Sequence, residues 1–297
     1  MTFAQLRILQ AVARTGNMTR AAEELRMTQP AVSHALRGLE RALGVTLFIR
    51  RSDGVTLTAV GRAVAERAAR ILTQLEGLQQ EAAAARGRAA GRLLLGVFPS
   101  VNARLFPRIL AAFSAAHPEV TLRVLEGSDP EVLDWLLTGA VDIATVTSAS
   151  PEIVTTTLTS DRMLAVVPAA HRLSERPAVT VADLGREPFI MSTGGCEPLI
   201  TAVARQAGVR LRSHYRVRDA NSILAMVAEG LGVTIMPELA LPVGATGIHA
   251  LPLEPEASRT ILLGLPADCP PLPAAAAFAK LARREAGATS HPASPTF

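Results

Sequence analysis

No stretch of this 297-residue chain reaches the roughly 18 uninterrupted apolar residues that a membrane span requires, although apolar residues make up 49% of it. The N-terminus also lacks the charged-then-apolar pattern of a secretory signal, so the expected compartment is the cytoplasm. Cysteine is scarce: Cys196 and Cys269 are the only two, too few and too far apart for a disulfide framework. Aromatic residues amount to 3%, and Trp135 and Tyr215, each the sole example of its kind, read as packing residues rather than stacking platforms. Lysine is reduced to Lys280, every other cation being arginine. The six histidines show no metal-ligand spacing, and no Ser, His and Asp positions form a triad motif. Gly230-Leu231-Gly232 lacks the rest of a dinucleotide fingerprint. These gaps argue against an enzyme and against a cofactor.

What is present is long enough for two or more compact units, and charge is distributed unevenly between them. The total is +4, but residues 1–90 hold thirteen arginines against seven acids, a balance of +6 that leaves −2 for the remainder. A cation excess confined to one end suits phosphate binding by counterion release.

That basic end contains the stretch Thr19 to Gly44. It reads as two short helices joined by a tight turn, the first starting after Thr19 as its cap and contributing Ala21, Ala22 and Leu25. The second restarts after Thr28 at Gln29-Pro30, where proline is tolerated because a first-turn N–H has no intrahelical partner. Val32, Leu36, Leu39 and Leu43 then recur at spacings of four, three and four, one apolar stripe. The opposite side presents Gln29, Ser33, His34, Arg37 and Arg41, donors suited to base edges and phosphates in a major groove. The reading is a helix-turn-helix with Thr19, Thr28, Gln29, Pro30, Ser33, His34 and Arg37 as DNA contacts. Before it, residues 2–15 form a helix whose Phe3, Leu6, Leu9 and Val12 should pack on the pair. After it, Thr46 to Arg51 and Val55 to Leu57 flank an Asp53-Gly54 turn as a small hairpin wing. Arg50 and Arg51 there are candidates for phosphate or minor-groove contact, plain surface solubility being the alternative.

Thr58 can cap a long helix running to about Ala85. Val64, Ala68, Ile71, Leu75 and Leu78 alternate at four and three, a coiled-coil seam that wants a partner helix. Packing on the chain's own core is the competing reading.

Six motifs in the first 61 residues occur together: F-x-x-L (Phe3, Leu6), A-A-E-E-L (Ala21 to Leu25), T-Q-P-A-V-S (Thr28 to Ser33), L-E-x-x-L-G (Leu39 to Gly44), L-F-x-R (Leu47 to Arg50) and L-T-x-x-G (Leu57 to Gly61). In order and spacing the run from Phe3 to Gly61 resembles the DNA-binding domain of the LysR-type transcriptional regulators, with Met18 standing where that family usually has an aromatic residue. The resemblance implies that the long helix dimerises and that two recognition helices address two half-sites of a partly palindromic operator.

From Arg92 onward, short apolar runs alternate with helices, the signature of parallel α/β units. Strands are expected at Leu93 to Phe98, Val120 to Leu125, Val141 to Val146, Met163 to Val167, Phe189 to Met191, Leu211 to Val217, Val233 to Met236 and Thr260 to Leu265. Helices are expected at Leu105 to Ala116, Pro130 to Leu137, Glu197 to Ala207, Ser222 to Glu229 and Ala274 to Glu285. Weaker signatures, among them L-F-P-R-I-L-A-A-F (Leu105 to Phe113) and A-E-G-L-G-V-x-x-M-P (Ala228 to Pro237), extend the resemblance to the LysR effector domain, two Rossmann-like α/β lobes similar to periplasmic solute-binding proteins. The expected organisation is a winged helix-turn-helix at 1–58, a linker helix at 59–86, a hinge at 87–91 and an effector domain at 92–286. Its lobe I takes about 92–160 and 266–286 and its lobe II about 161–265, and 287–297 reads as a disordered tail.

Ligands of open parallel sheets bind beyond the carboxyl ends of strands, at helix N-termini. That rule selects the loops 99–102, with Asn102, 127–129, 147–148 and 192–195, and the resemblance to the LysR effector domain implies Ser100, Ser128, Thr147 and Ser192 with Thr193 as pocket residues there. Such loops favour a small anion, most often a carboxylate, while the ordinary role of each hydroxyl is an N-cap. Cys196, near a helix N-terminus, is also conceivable as a redox sensor. The function expected is effector-controlled, sequence-specific DNA binding, with a DNA operator, a small-molecule effector, further copies of the chain as dimer or tetramer, and RNA polymerase as partners. An enzyme with a recruiting N-terminal module and an effector-independent DNA-binding protein are the rival readings.

Overall fold

The computed structural model describes residues 1–51, 54–85 and 90–287. It separates into two compact units, Met1–Gly91 with Leu137–Ala140, and Arg92–Leu136 with the chain from Val141 onward.

In the first unit, helix α1 (Phe3–Thr15) opens with a capping box in which Thr2 and Gln5 satisfy each other's backbone N–H groups. It buries Leu6, Leu9 and Val12, whereas Phe3 is 53% exposed and drops out of the expected core set. The next helix, α2 (Met18–Glu24), starts earlier than the sequence suggested. Asn17 is its cap, accepting from the N–H groups of Thr19 (2.8 Å) and Arg20 (3.2 Å), so Thr19 lies in the first turn instead. Arg26, at φ 53°, carries the left-handed turn between the helices. Helix α3 (Gln29–Leu43) is capped by Thr28, holds Pro30 in its first turn, and ends at Gly44 in the left-handed region.

Val32, Leu36 and Leu39 join Leu6, Leu9, Val12, Ala21 and Ala22 in one core, while Leu43 at the end of the stripe is exposed. Truncating a fully buried leucine such as Leu39 to alanine would cost about 2–5 kcal/mol. Strands β1 (Phe48–Arg51) and β2 (Gly54–Leu57) pair antiparallel as the expected wing, with Phe48 opposite Leu57. The turn residues Ser52 and Asp53 lie outside the described residues. Thr58 caps α4 (Ala59–Ala84) by accepting from Gly61 N–H at 2.8 Å. The expected hinge at 87–91 falls largely outside the described residues, as does the expected tail.

The second unit begins with β3 (Gly91–Val97), followed by α5 (Pro99–Arg104), α6 (Phe106–Ala116), β4 (Val120–Glu126), α7 (Asp129–Thr138) and β5 (Ile143–Val146). The helix expected over 105–116 is thus preceded by a separate turn of helix, each opening with a proline in its first turn. Next come β6 (Ile153–Pro168), β7 (Val179–Thr180), α8 (Val181–Leu184), β8 (Phe189–Ser192), α9 (Glu197–Gln206), β9 (Ser213–Val217), α10 (Ala220–Ala228), β10 (Thr234–Pro237), a 3-10 turn at Glu238–Ala240, β11 (Ile248–Pro266) and α11 (Pro273–Gly287).

The sheet is mixed rather than purely parallel, and its order is β10-β6-β11-β5-β3-β4. The parallel β3 and β5 on one side and the parallel pair β8 and β9 on the other are the α/β cores of the two lobes. Between them run β6 and β11, far longer than the short strands expected at 163–167 and 260–265, paired antiparallel with a register shift between Pro252 and Ala257. These two strands are the crossings. Helix α11 closes back on lobe I, where Phe278 meets Phe106 and Phe113 edge-on at 5.9 and 5.2 Å.

Candidate functional sites

On α3, Gln29, Pro30, His34, Arg37 and Arg41 are exposed on one side of the helix. Ser33 is not: at 6% exposure it is buried, because the position one residue after Val32 turns partly toward the core. Its place on the polar face is therefore corrected. The one acid among these positions, Glu40, is committed elsewhere, its Oε1 accepting from the N–H groups of Leu47 (2.8 Å) and Phe48 (3.3 Å) at the base of the wing. That leaves a cationic surface, and an open concavity lined by His34, Arg37, Arg41 and Thr46 lies beside it. Thr28 and Thr19 are exposed at the N-terminal ends of α3 and α2. Arg50 and Arg51 sit on β1, opposite Val55 and Gly54; their side chains lie outside the described residues.

The seam of α4 divides. Val64 and Ala68 pack into the core of their own unit, the competing reading for that half of the stripe, whereas Ile71 is 42% and Leu78 65% exposed, with Leu75 half-buried between them.

In the second unit, the residue around which the loops gather is Arg259 of β11, which the sequence reading did not select. Its side chain is 6% exposed and lies directly across the strand pair from Asp161 of β6. Nε and Nη2 donate to Asp161 Oδ2 at 2.9 and 2.8 Å, and Nη2 also donates to Ser100 Oγ at 2.5 Å. The guanidinium lies 4.9 Å from the centre of the Phe98 ring. Nη1 faces Cys196 Sγ, at 3.7 Å, its one hydrogen-bond partner among the described residues. Asp161 spends its other oxygen on Leu239 N–H, at 3.0 Å. Burial pushes the Asp161 carboxyl above its ordinary range, with Arg259 opposing.

Next to this pair, Asp129 opens α7 and accepts from Thr147 Oγ1 at 2.9 Å. Burial raises its pKa too, against the Thr147 hydrogen bond and the Arg259 charge. Gly195, at φ 120°, packs so closely that a Cβ there would meet Asp129 Oδ1 at 3.2 Å. Burial likewise raises the Cys196 thiol despite its arginine neighbour.

Of the hydroxyls selected from sequence, Ser100 and Thr147 therefore converge on the Arg259 and Asp129 side chains. Ser128 instead donates to Glu131 Oε2 at 2.6 Å, a local helix cap. Asn102 donates to the exposed Glu126 carboxylate at 2.7 Å. Ser192 is buried at the end of β8, and Thr193 N–H is tied to Val217 O at 2.9 Å. The missed pair had a signal. Arg259 shares strand parity with the buried Ile261 and Leu263, and Asp161 with the buried Met163 and Ala165. An inward Arg opposite an inward Asp follows once both strands are drawn at full length.

Comparison with known proteins agrees with this architecture. The family described as bacterial regulatory helix-turn-helix protein, lysR family, matches residues 3–62, and the LysR substrate binding domain matches residues 86–287. The HTH-type transcriptional regulator YvbU of Bacillus subtilis is 33% identical over 291 residues, covering 97% of this chain and 100% of that protein. The full-length structure of an OxyR variant from Pseudomonas aeruginosa superposes with a TM-score of 0.74 at 25% identity, covering 95% of this chain and 98% of that one. CbnR complexed with its target DNA gives a TM-score of 0.66 at 26% identity, over 96% of this chain and 100% of that one. The chain belongs to the LysR family of DNA-binding transcriptional regulators, with an N-terminal helix-turn-helix domain and a C-terminal effector-binding domain.

Proposed function

We propose that the chain works as a cytoplasmic homo-oligomer that reads an operator through α3 and changes its grip on promoter DNA when a small molecule binds between the two lobes of its second unit. The observation that carries this reading is the exposed set Gln29, Pro30, His34, Arg37 and Arg41 on a helix whose single acid is turned into the wing. Arg37 and His34 supply donors for base edges, and Arg41, Thr28 and Thr19 serve the phosphates. Arg50 and Arg51 on the wing add phosphate contacts, in keeping with the +6 balance of residues 1–90.

Two copies join through the exposed part of α4, where Ile71, Leu75 and Leu78 form the seam. This sets the spacing of two recognition helices on two half-sites. Effector binding near Ser100 and Thr147 shifts the population of lobe arrangements, and the oligomer passes that shift to the DNA and to RNA polymerase. Such coupling is typically worth about 1–3 kcal/mol.

The test is genome-wide footprinting of the purified protein with and without candidate metabolites. Discrete sites whose footprint changes with one metabolite are expected. Binding without sequence preference in every condition would refute the proposal.

A further inference from the structure

The loops between the lobes carry features that usually capture anions, yet all but Arg104, which is held by a carbonyl, are already met by an acid of the chain itself. Helix α7 presents its N-terminus with Asp129 and Glu131 in its own first turn. The N-terminus of α9 has Glu197 there, paired with Arg216 at 2.8 Å. Arg259, the buried cation, holds Asp161 with two N–H groups and Ser100 with one of them. At the rim, Arg218 bonds Glu131 at 2.5 Å and Arg104 donates to Leu241 O at 2.6 Å. Around the buried cation stand two aspartates, Asp161 buried and Asp129 half-buried, so the Arg259 and Asp161 pair cancels and Asp129 stands as the surplus charge beside it. A carboxylate or phosphate entering here would meet that charge in a poorly screened interior. Among the described residues, what remains open is polar but uncharged in demand: Arg259 Nη1, which has a sulfur at 3.7 Å, and the Ser100 and Thr147 hydroxyls.

We propose that this site selects an uncharged, hydroxyl- or amide-bearing molecule and rejects carboxylates and phosphates. The inference rests on reading the loops between the lobes as the effector site, and it departs from the small anion that the sequence alone favoured. Burying an uncharged donor and acceptor against Arg259 and Asp129 satisfies both groups without adding a like charge.

Cys196, at the centre of the cluster, serves as a reporter. The native full-length chain is treated with iodoacetamide or with iodoacetate, reagents of nearly equal size that differ by one negative charge. Alkylation of the Cys196 peptide is followed by mass spectrometry, with free cysteine in the same buffer as reference. In both reactions the thiolate displaces iodide, so the ratio of the two rates cancels the ionisation of the thiol and isolates the charge of the reagent. The amide-to-acetate ratio at Cys196 is expected to exceed that of free cysteine by about tenfold, and Asp129→Asn should bring it back toward the reference. A ratio at or below that of free cysteine overturns the charge assignment and leaves the site standing, and an unchanged ratio in Asp129→Asn overturns Asp129 as its source. If neither reagent labels Cys196 in the native chain while both label it in urea, the loops admit no small molecule and the effector-site reading itself falls.

Discussion

Removing Arg259 while keeping Asp161 should be among the most damaging single changes in the second unit. In Arg259→Met the Asp161 side chain, 1% exposed, loses both guanidinium donors and, among the described residues, keeps Leu239 N–H alone. Breaking a buried pair from one side typically costs about 3–5 kcal/mol, because the surviving charge has neither partner nor water. Removing both charges is different. In Arg259→Met with Asp161→Leu the desolvation of two ions disappears, which offsets the lost attraction, and what remains is the orphaned Leu239 N–H at about 1–3 kcal/mol. The double variant should therefore lie within about 3 kcal/mol of the parent and above the single variant. Trp135, the only tryptophan, sits on α7 of this unit, so its fluorescence follows urea unfolding there. With a slope of about 2 kcal/mol per molar, the single variant loses about 2 M in midpoint, about half of which the second substitution restores. If the single variant stays within about 1 kcal/mol of the parent, or the double falls as far as the single, the pair is not balanced as argued.

Other parts of the molecule invite simpler tests. Arg37→Ala should weaken operator binding by about 1–3 kcal/mol and leave the oligomer intact, as read by fluorescence anisotropy and sedimentation; unchanged affinity removes Arg37 from the contact face. Leu78→Glu, at a 65% exposed leucine of α4, should shift sedimentation toward monomer without lowering the melting point of either unit, and an unaltered oligomer would take that position out of the seam. Ser100→Ala removes the hydroxyl that accepts from Arg259, and it should blunt the effector response with DNA affinity of the free protein near that of the parent; equal response in both proteins would exclude the residue. Asp129 has a folded pKa raised by burial above the ordinary 3.8. Its ionisation therefore opposes folding, and stability falls as pH rises from about that value through the folded pKa. Asp129→Asn should flatten this part of the stability profile measured by urea unfolding, and a parallel profile in the variant would contradict the sign.

The helix-turn-helix was legible because its information is local. A cap at Thr28, a proline in the first turn, a stripe of Val32, Leu36 and Leu39 and a closing Gly44 all lie in one unbroken stretch from Thr28 to Gly44. The same holds for β5, β8 and β10, whose apolar runs are buried on both faces, as in Ile143 to Val146. The error at Ser33 was one of angle: apolar spacing marks the centre of a buried stripe and leaves its flanks undecided. The crossing strands were legible only at their apolar ends. Between Val154 and Ser160 the chain is mostly threonine, and β11 carries Pro252, Pro255 and Pro266, so both stretches have the composition of loops while forming the longest strand pair of the unit. Their pairing comes from each other, over about a hundred residues of intervening chain.

That non-local origin also explains why the hydroxyls were found and the charges were not. Searching strand ends for donors reaches Ser100 and Thr147, since each lies within two residues of the end of an apolar run that sequence alone can place as a strand. Arg259 and Asp161 lie inside strands, where a single sequence marks them only as polar interruptions. They become a site because the antiparallel register sets residue 259 opposite residue 161 with both side chains on the buried face. Once there, they alter what the loop hydroxyls can do: Ser100 is no longer a free cap but an acceptor for a fixed cation, and the guanidinium is already half consumed by its own carboxylate. A hydroxyl-lined cleft at helix N-termini argues for an anion when the loops are considered alone. With the register-imposed ion pair beneath it and Asp129 beside it, the same cleft argues for a molecule that brings hydrogen bonds and no charge.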